Sequence, residues 1–155
     1  MTAYYTLDGA NARIPDLRET LLVLRDQRRE LVRLRDRYLE LTGHPLELGA
    51  GLADRGGSRE GLPGGEATTI TGLEEARLVE LRVRGIVDQM GASVARLDAD
   101  AIALRDIETG LVDLPALVSG RPVWLCWRLG ERDAIEFWHE YDAGFAGRRT
   151  LAELA

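Results

Sequence analysis

Between Ile14 and Leu41 the apolar positions keep a seven-residue rhythm, Leu17, Leu24, Leu31 and Tyr38, with Leu21, Leu34 and Leu41 filling the adjacent stripe. That spacing lays one narrow apolar stripe along a helix of about 27 residues, ~40 Å at 1.5 Å per residue. Thr6 suits the N-cap of a short lead-in turn and Pro15 suits a helix's first turn, so a bend is expected at the entry. A second stripe, Ala76, Val79, Val83, Ile86, Met90, Val94 and Leu97, is spaced by threes and fours and predicts a helix of similar length. Neither stripe can stay in water. Burial is worth ~25 cal/mol per Å2, and packing rather than propensity stabilises most helices, so the two are expected to pair as a long antiparallel, coiled-coil-like hairpin.

The stretch 43–72 between them holds nine glycines and two prolines and shows no periodicity, which predicts a long flexible loop at the hairpin tip. Deleting residues 51–65 is expected to leave a cooperative thermal melt intact, since closure entropy varies only logarithmically with loop length. After Leu97 the period shortens to that of strands. Runs at 101–104, 111–117, 122–128 and 134–141 are separated by turn signals at Glu108–Gly110, Ser119–Gly120 and Gly130–Asp133. Such short connections pair neighbours as an antiparallel meander. The predicted class is α+β in a single domain: helix 1 with its lead-in at 1–42, the loop at 43–72, helix 2 at 73–98, and a small β head at 101–149, opposite the loop.

At 155 residues the chain can bury a core without staples, and its one cysteine excludes an intrachain disulfide. No apolar run approaches the ~18 residues of a membrane helix. With no basic and apolar leader at the start, a cytoplasmic protein that does not enter membranes is expected. Every one of the 20 basic residues is arginine. The absence of lysine excludes Schiff-base chemistry and the Walker phosphate loop. A net charge of -6 argues against nucleic-acid binding, which depends on neutralising phosphates. Arg25, Arg28, Arg29, Arg33, Arg35 and Arg37 crowd one helix, but Asp26, Glu30, Asp36 and Glu40 stand close enough to pair with them.

Candidate chemistry concentrates between Trp124 and Arg149, where all three tryptophans, Cys126 and His139 lie. A divalent metal ion has candidate ligands in Asp113, His139, Glu140 and Asp142. Strand alternation puts His139 with Ile135, Phe137 and Tyr141 on one face, and Glu136, Trp138, Glu140 and Asp142 on the other, so His139 and Glu140 cannot chelate together from a regular strand. A second histidine would have to be His44, beside the loop, or come from another subunit. One cysteine and two histidines cannot build a four-ligand Cys/His zinc site. The plainer alternative is a semi-buried His139 hydrogen-bonded to a carboxylate such as Asp113. Cys126 with His139 resembles a thiolate pair in composition, but a cysteine inside a central strand more commonly packs as a small hydrophobe. None of the three serines sits in a nucleophile elbow. Gly144–Arg149 offers a glycine turn and two guanidinium forks, suited either to an anion or to closing the sheet. Alternation sends Trp124 and Trp127 to opposite faces, so one of them needs cover other than the helices, which points to a homodimer or a partner protein.

Leu125-Cys126-Trp127, Trp138-His139-Glu140, Asp142 and Gly144-Phe145-Ala146-Gly147-Arg148 resemble the signature of the bacterial family called domain of unknown function 2203. Tyr5-Thr6-Leu7-Asp8, Ala10-Asn11 and Pro15-Asp16-Leu17 resemble its opening, and Gly110–Pro115 its middle motif; Gly9 departs from the pattern, which implies a helix-forming acidic residue there. The resemblance spans nearly the whole chain outside the glycine-rich middle. It implies a fold and a surface, and no particular reaction. Two classes of function stay open. The leading one is a non-enzymatic interaction or ligand-binding protein, acting as a homodimer, with candidate ligand residues Asp113, Trp124, Cys126, Trp127, His139, Asp142 and Arg148. The alternative is a metal-dependent enzyme using His139 with Asp113, Asp142 or Glu140.

Overall fold

The computed structural model describes residues 3–47 and 70–154. In order they form α1 (Leu7–Thr42), α2 (Ile70–Ala99), β1 (Ala103–Asp106), β2 (Leu111–Val118), β3 (Arg121–Arg128), β4 (Phe137–Glu140) and β5 (Arg149–Thr150). Short 3-10 turns cover Phe145–Gly147 and Leu151–Leu154. The class is α+β, as the hydrophobic patterns predict, and the antiparallel sheet runs in sequential order from β1 to β5. The chain divides into two compact units, Met1–Arg28 with Gln89–Ala155, and Arg29–Asp88.

In the first unit α1 starts earlier than its stripe suggests. Thr6 caps it, with its Oγ1 accepting the Gly9 N–H at 3.0 Å and its carbonyl accepting the Ala10 N–H at 2.9 Å. Pro15 therefore lies inside the helix and not in a first turn. A proline there costs about 3 kcal/mol. The cost is offset by burial of Ala10, Ile14, Leu17, Leu21 and Leu24 along one face, and by Asn11, whose side chain accepts the Ile135 N–H at 2.7 Å. Replacing Thr6 by alanine is expected to cost about 1 kcal/mol, the ordinary value of a lost cap, measurable by urea unfolding.

Against this helical face lie Val112, Leu114 and Ala116 of β2, Val123, Leu125 and Trp127 of β3, and Trp138 of β4, with Leu97 and Ile102 completing the core. Register explains the set, because Val112 faces Trp127, Leu114 faces Leu125, and Leu125 faces Trp138. The alternate residues, including Asp113, Pro115, Trp124, Cys126, Phe137 and His139, are consequently on the outer face of the sheet. Pro115 is tolerated because β1 pairs with β2 only as far as Asp113, so no ladder bond is lost; its carbonyl instead accepts the Tyr5 N–H at 2.7 Å. Between β2 and β3, Ser119 and Gly120 both take positive φ, +51° and +77°, the two-residue turn whose twist matches the strands.

Three strand expectations change in this unit, the first being the run 101–104, which forms a strand only from Ala103 and continues to Asp106. The run 134–141 contributes a strand only at Phe137–Glu140, and Ile135 joins the helix-side core, because Asn11 holds its N–H before the strand begins. A fifth strand, Arg149–Thr150, closes the sheet beside β4. Two residues carry no alternation from which to predict it.

The second unit contains residues 29–42 of α1 and 70–88 of α2. Ala76, Val79, Val83 and Ile86 are buried in it. Its polar links are Glu30 with Arg82 at 2.9 Å, Arg37 with Glu75 at 2.8 Å, and the Tyr38 hydroxyl donating to Glu80 at 2.9 Å. Between Glu30 and Arg37 on α1 the partner on α2 moves back from Arg82 to Glu75, so the segments run antiparallel. Exposed pairs of this kind contribute ~0–1 kcal/mol each, which leaves the apolar seam as the main support. Ile70–Gly72, expected in the glycine-rich loop, belongs to α2. The remainder of that loop from 48 to 69, including the proposed deletion, lies outside the described residues. Among the described residues no helix is long and apolar enough to cross a membrane.

Candidate functional site

Three neighbouring strands bring polar side chains together on the outer face of the sheet. Asp113 of β2 stands opposite Cys126 of β3, which stands opposite Phe137 of β4; His139, two residues further along β4, shares their face. Asp113 Oδ2 accepts the Arg105 Nε–H at 2.8 Å and lies 3.0 Å from His139 Nε2. The other imidazole nitrogen, Nδ1, lies 2.8 Å from the Glu140 carbonyl. A carbonyl only accepts, so Nδ1 carries a hydrogen in this contact. The side chains of His139 and Asp113 are 2% and 3% exposed. Asp113 Oδ1 is buried and meets no nitrogen or oxygen partner among the described residues, with the Cys126 thiol beside the carboxylate.

Cys126 is buried beside them. Burial above all, then the Asp113 carboxylate, pushes its thiol pKa up to about 12, with Arg148 acting in the opposite direction. Folding thus holds a proton that the unfolded chain releases from about pH 9, so this contribution is intact below that pH and is lost as pH rises toward 12. Cys126 is accordingly expected to resist iodoacetamide at pH 8 in the native protein and to react readily in urea. Comparable labelling in both states, read by mass spectrometry, would contradict this burial.

A cover of aromatic rings and arginines surrounds the cluster. Trp124 stacks on Tyr141 with ring centroids 4.7 Å apart, and the Arg105 guanidinium lies 5.0 Å above the Trp124 ring. Trp124 therefore finds its partners within its own chain. Arg148 lies over Phe137 at 4.2 Å, donates to Glu131 at 2.9 Å and to the Cys126 carbonyl at 3.4 Å, and has its Nε buried without a partner. It is brought there by the return of the chain: a Cβ on Gly147 would sit 2.8 Å from that of Ala143, so only glycine permits the close turn. β5 then anchors the segment, with the Trp138 Nε1–H donating to the Thr150 carbonyl at 3.0 Å.

Of the residues singled out in the sequence, Asp113, Cys126 and His139 come together, with Trp124 and Arg148 around them. Trp127 does not join them: it is fully buried on the helix side, and its Nε1–H donates to the Arg132 carbonyl at 2.9 Å. Glu140 is paired with Val123 in register and forms an ion pair with Arg121 at 3.3 Å, while Asp142 is exposed in the turn after β4. Alternation separates neighbours on a strand, so of the four candidate metal ligands only Asp113 and His139 meet, and Cys126 supplies the third donor atom. Arg105 and Glu131 were not anticipated. Finding Arg105 needs the β1–β2 register, which pairs Ala103 with Asp113 and then shifts between Leu104 and Asp106.

Elsewhere in the first unit a polar cavity of about 290 Å3 lies between α1 and α2, lined by Arg13, Asp16, Glu19, Ser93, Arg96 and Asp100. Its acidic and basic groups offset one another, and Arg13 pairs with Asp100 at 2.7 Å.

A family model described as Uncharacterized conserved protein (DUF2203) matches residues 3–151, a span that takes in α1, the sheet and the whole outer-face cluster. No curated protein and no solved structure matches the chain. With nearly its full length matched, the chain belongs to the DUF2203 family of uncharacterized conserved proteins.

Proposed function

We propose that this chain is a non-enzymatic ligand-binding protein of the cytoplasm, acting as a homodimer, and that its ligand site is the outer-face cluster of Asp113, Cys126 and His139. The observation that carries this reading is the Asp113 carboxylate, almost wholly buried, with one oxygen that meets no nitrogen or oxygen partner among the described residues and with an imidazole and a thiol beside it. An unsatisfied buried carboxylate oxygen is destabilising unless something meets it. The three donor atoms lie on buried residues within 4.8 Å of one another, which suits an ion better than a larger substrate and favours binding over turnover. The dimer is supported by the outer leucines of the helices, Leu22, Leu39, Leu78 and Leu81, which are exposed. A free, buried cysteine suits a reducing compartment.

Native mass spectrometry of tag-free protein purified without chelators tests both parts. The expected result is a dimer carrying a small non-covalent adduct that disappears in Asp113→Asn. A bare polypeptide mass overturns the ligand reading, and a monomer at micromolar concentration overturns the dimer.

A further inference from the structure

We infer that Asp113, Cys126 and His139 form a binding site for a thiophilic divalent cation of the zinc type; the inference rests on the outer-face ligand site proposed above and names its ligand. The three donor atoms, one carboxylate oxygen, Sγ and an imidazole nitrogen, lie within 4.8 Å of one another on fully buried residues. Tetrahedral zinc, with bonds of about 2.0–2.3 Å, places its ligands roughly 3.3–3.8 Å apart, so a contraction of about 1 Å completes the set.

The hydrogen-bond pattern leaves room for a cation in place of a proton. Nδ1 lies against the Glu140 carbonyl and Nε2 against Asp113 Oδ2 at 3.0 Å, so the space between Nε2 and Oδ2 is one that a proton or a metal ion fills. Oδ1, which meets no nitrogen or oxygen partner among the described residues, adds a second oxygen lone pair to the same cluster, on a side chain 97% buried by its 3% exposure. Outer partners of the kind metal ligands use are also in place: the Glu140 carbonyl orients the imidazole, and Arg105 holds the carboxylate at 2.8 Å. Magnesium and calcium need six or more oxygen atoms, which the cluster does not offer, whereas sulfur with nitrogen and one carboxylate suits zinc. On binding, Sγ coordinates as the thiolate, its proton passes to solvent, and water takes the fourth position.

Cobalt(II), a spectroscopic stand-in for zinc, provides the test on reduced, tag-free, full-length protein. One Co2+ per chain is expected, with visible bands of a four-coordinate ion and a near-ultraviolet thiolate-to-cobalt band, both abolished by added Zn2+. Cys126→Ser should keep some uptake and lose the thiolate band. Asp113→Asn and His139→Asn should weaken uptake by more than the roughly 10–100-fold that loss of an outer partner costs. Since Cys126 is the chain's only cysteine, the wild-type thiolate band decides the matter even if a variant fails to fold. Uptake unchanged in all three variants places the ion elsewhere and overturns the inference. So does the absence of uptake by the wild type: if native mass spectrometry still shows another small adduct, the ligand-binding reading survives, and if it shows none, both fall.

Discussion

Trp127→Ala is expected to lower stability by about 3–5 kcal/mol, the usual range for emptying an aromatic site in a core. Trp127 is fully buried against the helices, faces Val112 across the sheet, and would take with it the hydrogen bond from Nε1 to the Arg132 carbonyl. Against a total stability of about 5–15 kcal/mol, that loss brings the fold near its limit. Trp124→Ala, three residues away on the same strand, should cost far less, about 1–2 kcal/mol, because its half-buried ring loses a stacking partner and part of its surface rather than a core site. Urea unfolding of the two variants checks the contrast. Equal losses would mean that the outer face is packed as tightly as the core.

The second large effect belongs to Asp113. Removing its carboxylate as Asp113→Ala leaves His139 Nε2 and the Arg105 guanidinium without their shared partner, and is expected to cost about 2–3 kcal/mol. Breaking a fully buried ion pair costs more, about 3–5 kcal/mol, but the half-exposed Arg105 can turn toward water. Asp113→Asn should cost less, about 1 kcal/mol, since an amide oxygen in the place of Oδ2 can still accept from Arg105. Paired melts of the two variants separate the structural role of this position from any role in holding a cation. If Asn destabilises as much as Ala, charge rather than hydrogen bonding holds the site together.

Much of the fold was legible in the chain, for reasons that can be located. Leu17, Leu21 and Leu24 repeat at helical spacing, and all three are buried. The Ser119–Gly120 signal became a tight hairpin turn, and the order of the strands followed from short connections. These are local properties, set by periodicity and backbone preference within a few residues. The start of α1 was misplaced because Pro15 looked like a boundary. Only the sheet packed on Ala10 and Ile14, and the Asn11 bond to Ile135, show why the helix continues through it.

The candidate site divides along the same line. Alternation alone separates His139 from Glu140 and Trp124 from Trp127, and chain order alone sets β2, β3 and β4 side by side. It does not set how far one strand slides along the next. The register that puts Cys126 opposite Asp113 brings the thiol into the set, while the return of the chain through Gly147 to β5 delivers Arg148 and Phe145 as cover. Arg105 reaches Asp113 only after the register shift near Leu104. The sequence determined which residues share a face, since a strand's two-residue period is intrinsic to the backbone. Which residues on that face meet was decided by tertiary pairing, because register minimises the free energy of the whole sheet and its core, and no single strand encodes it.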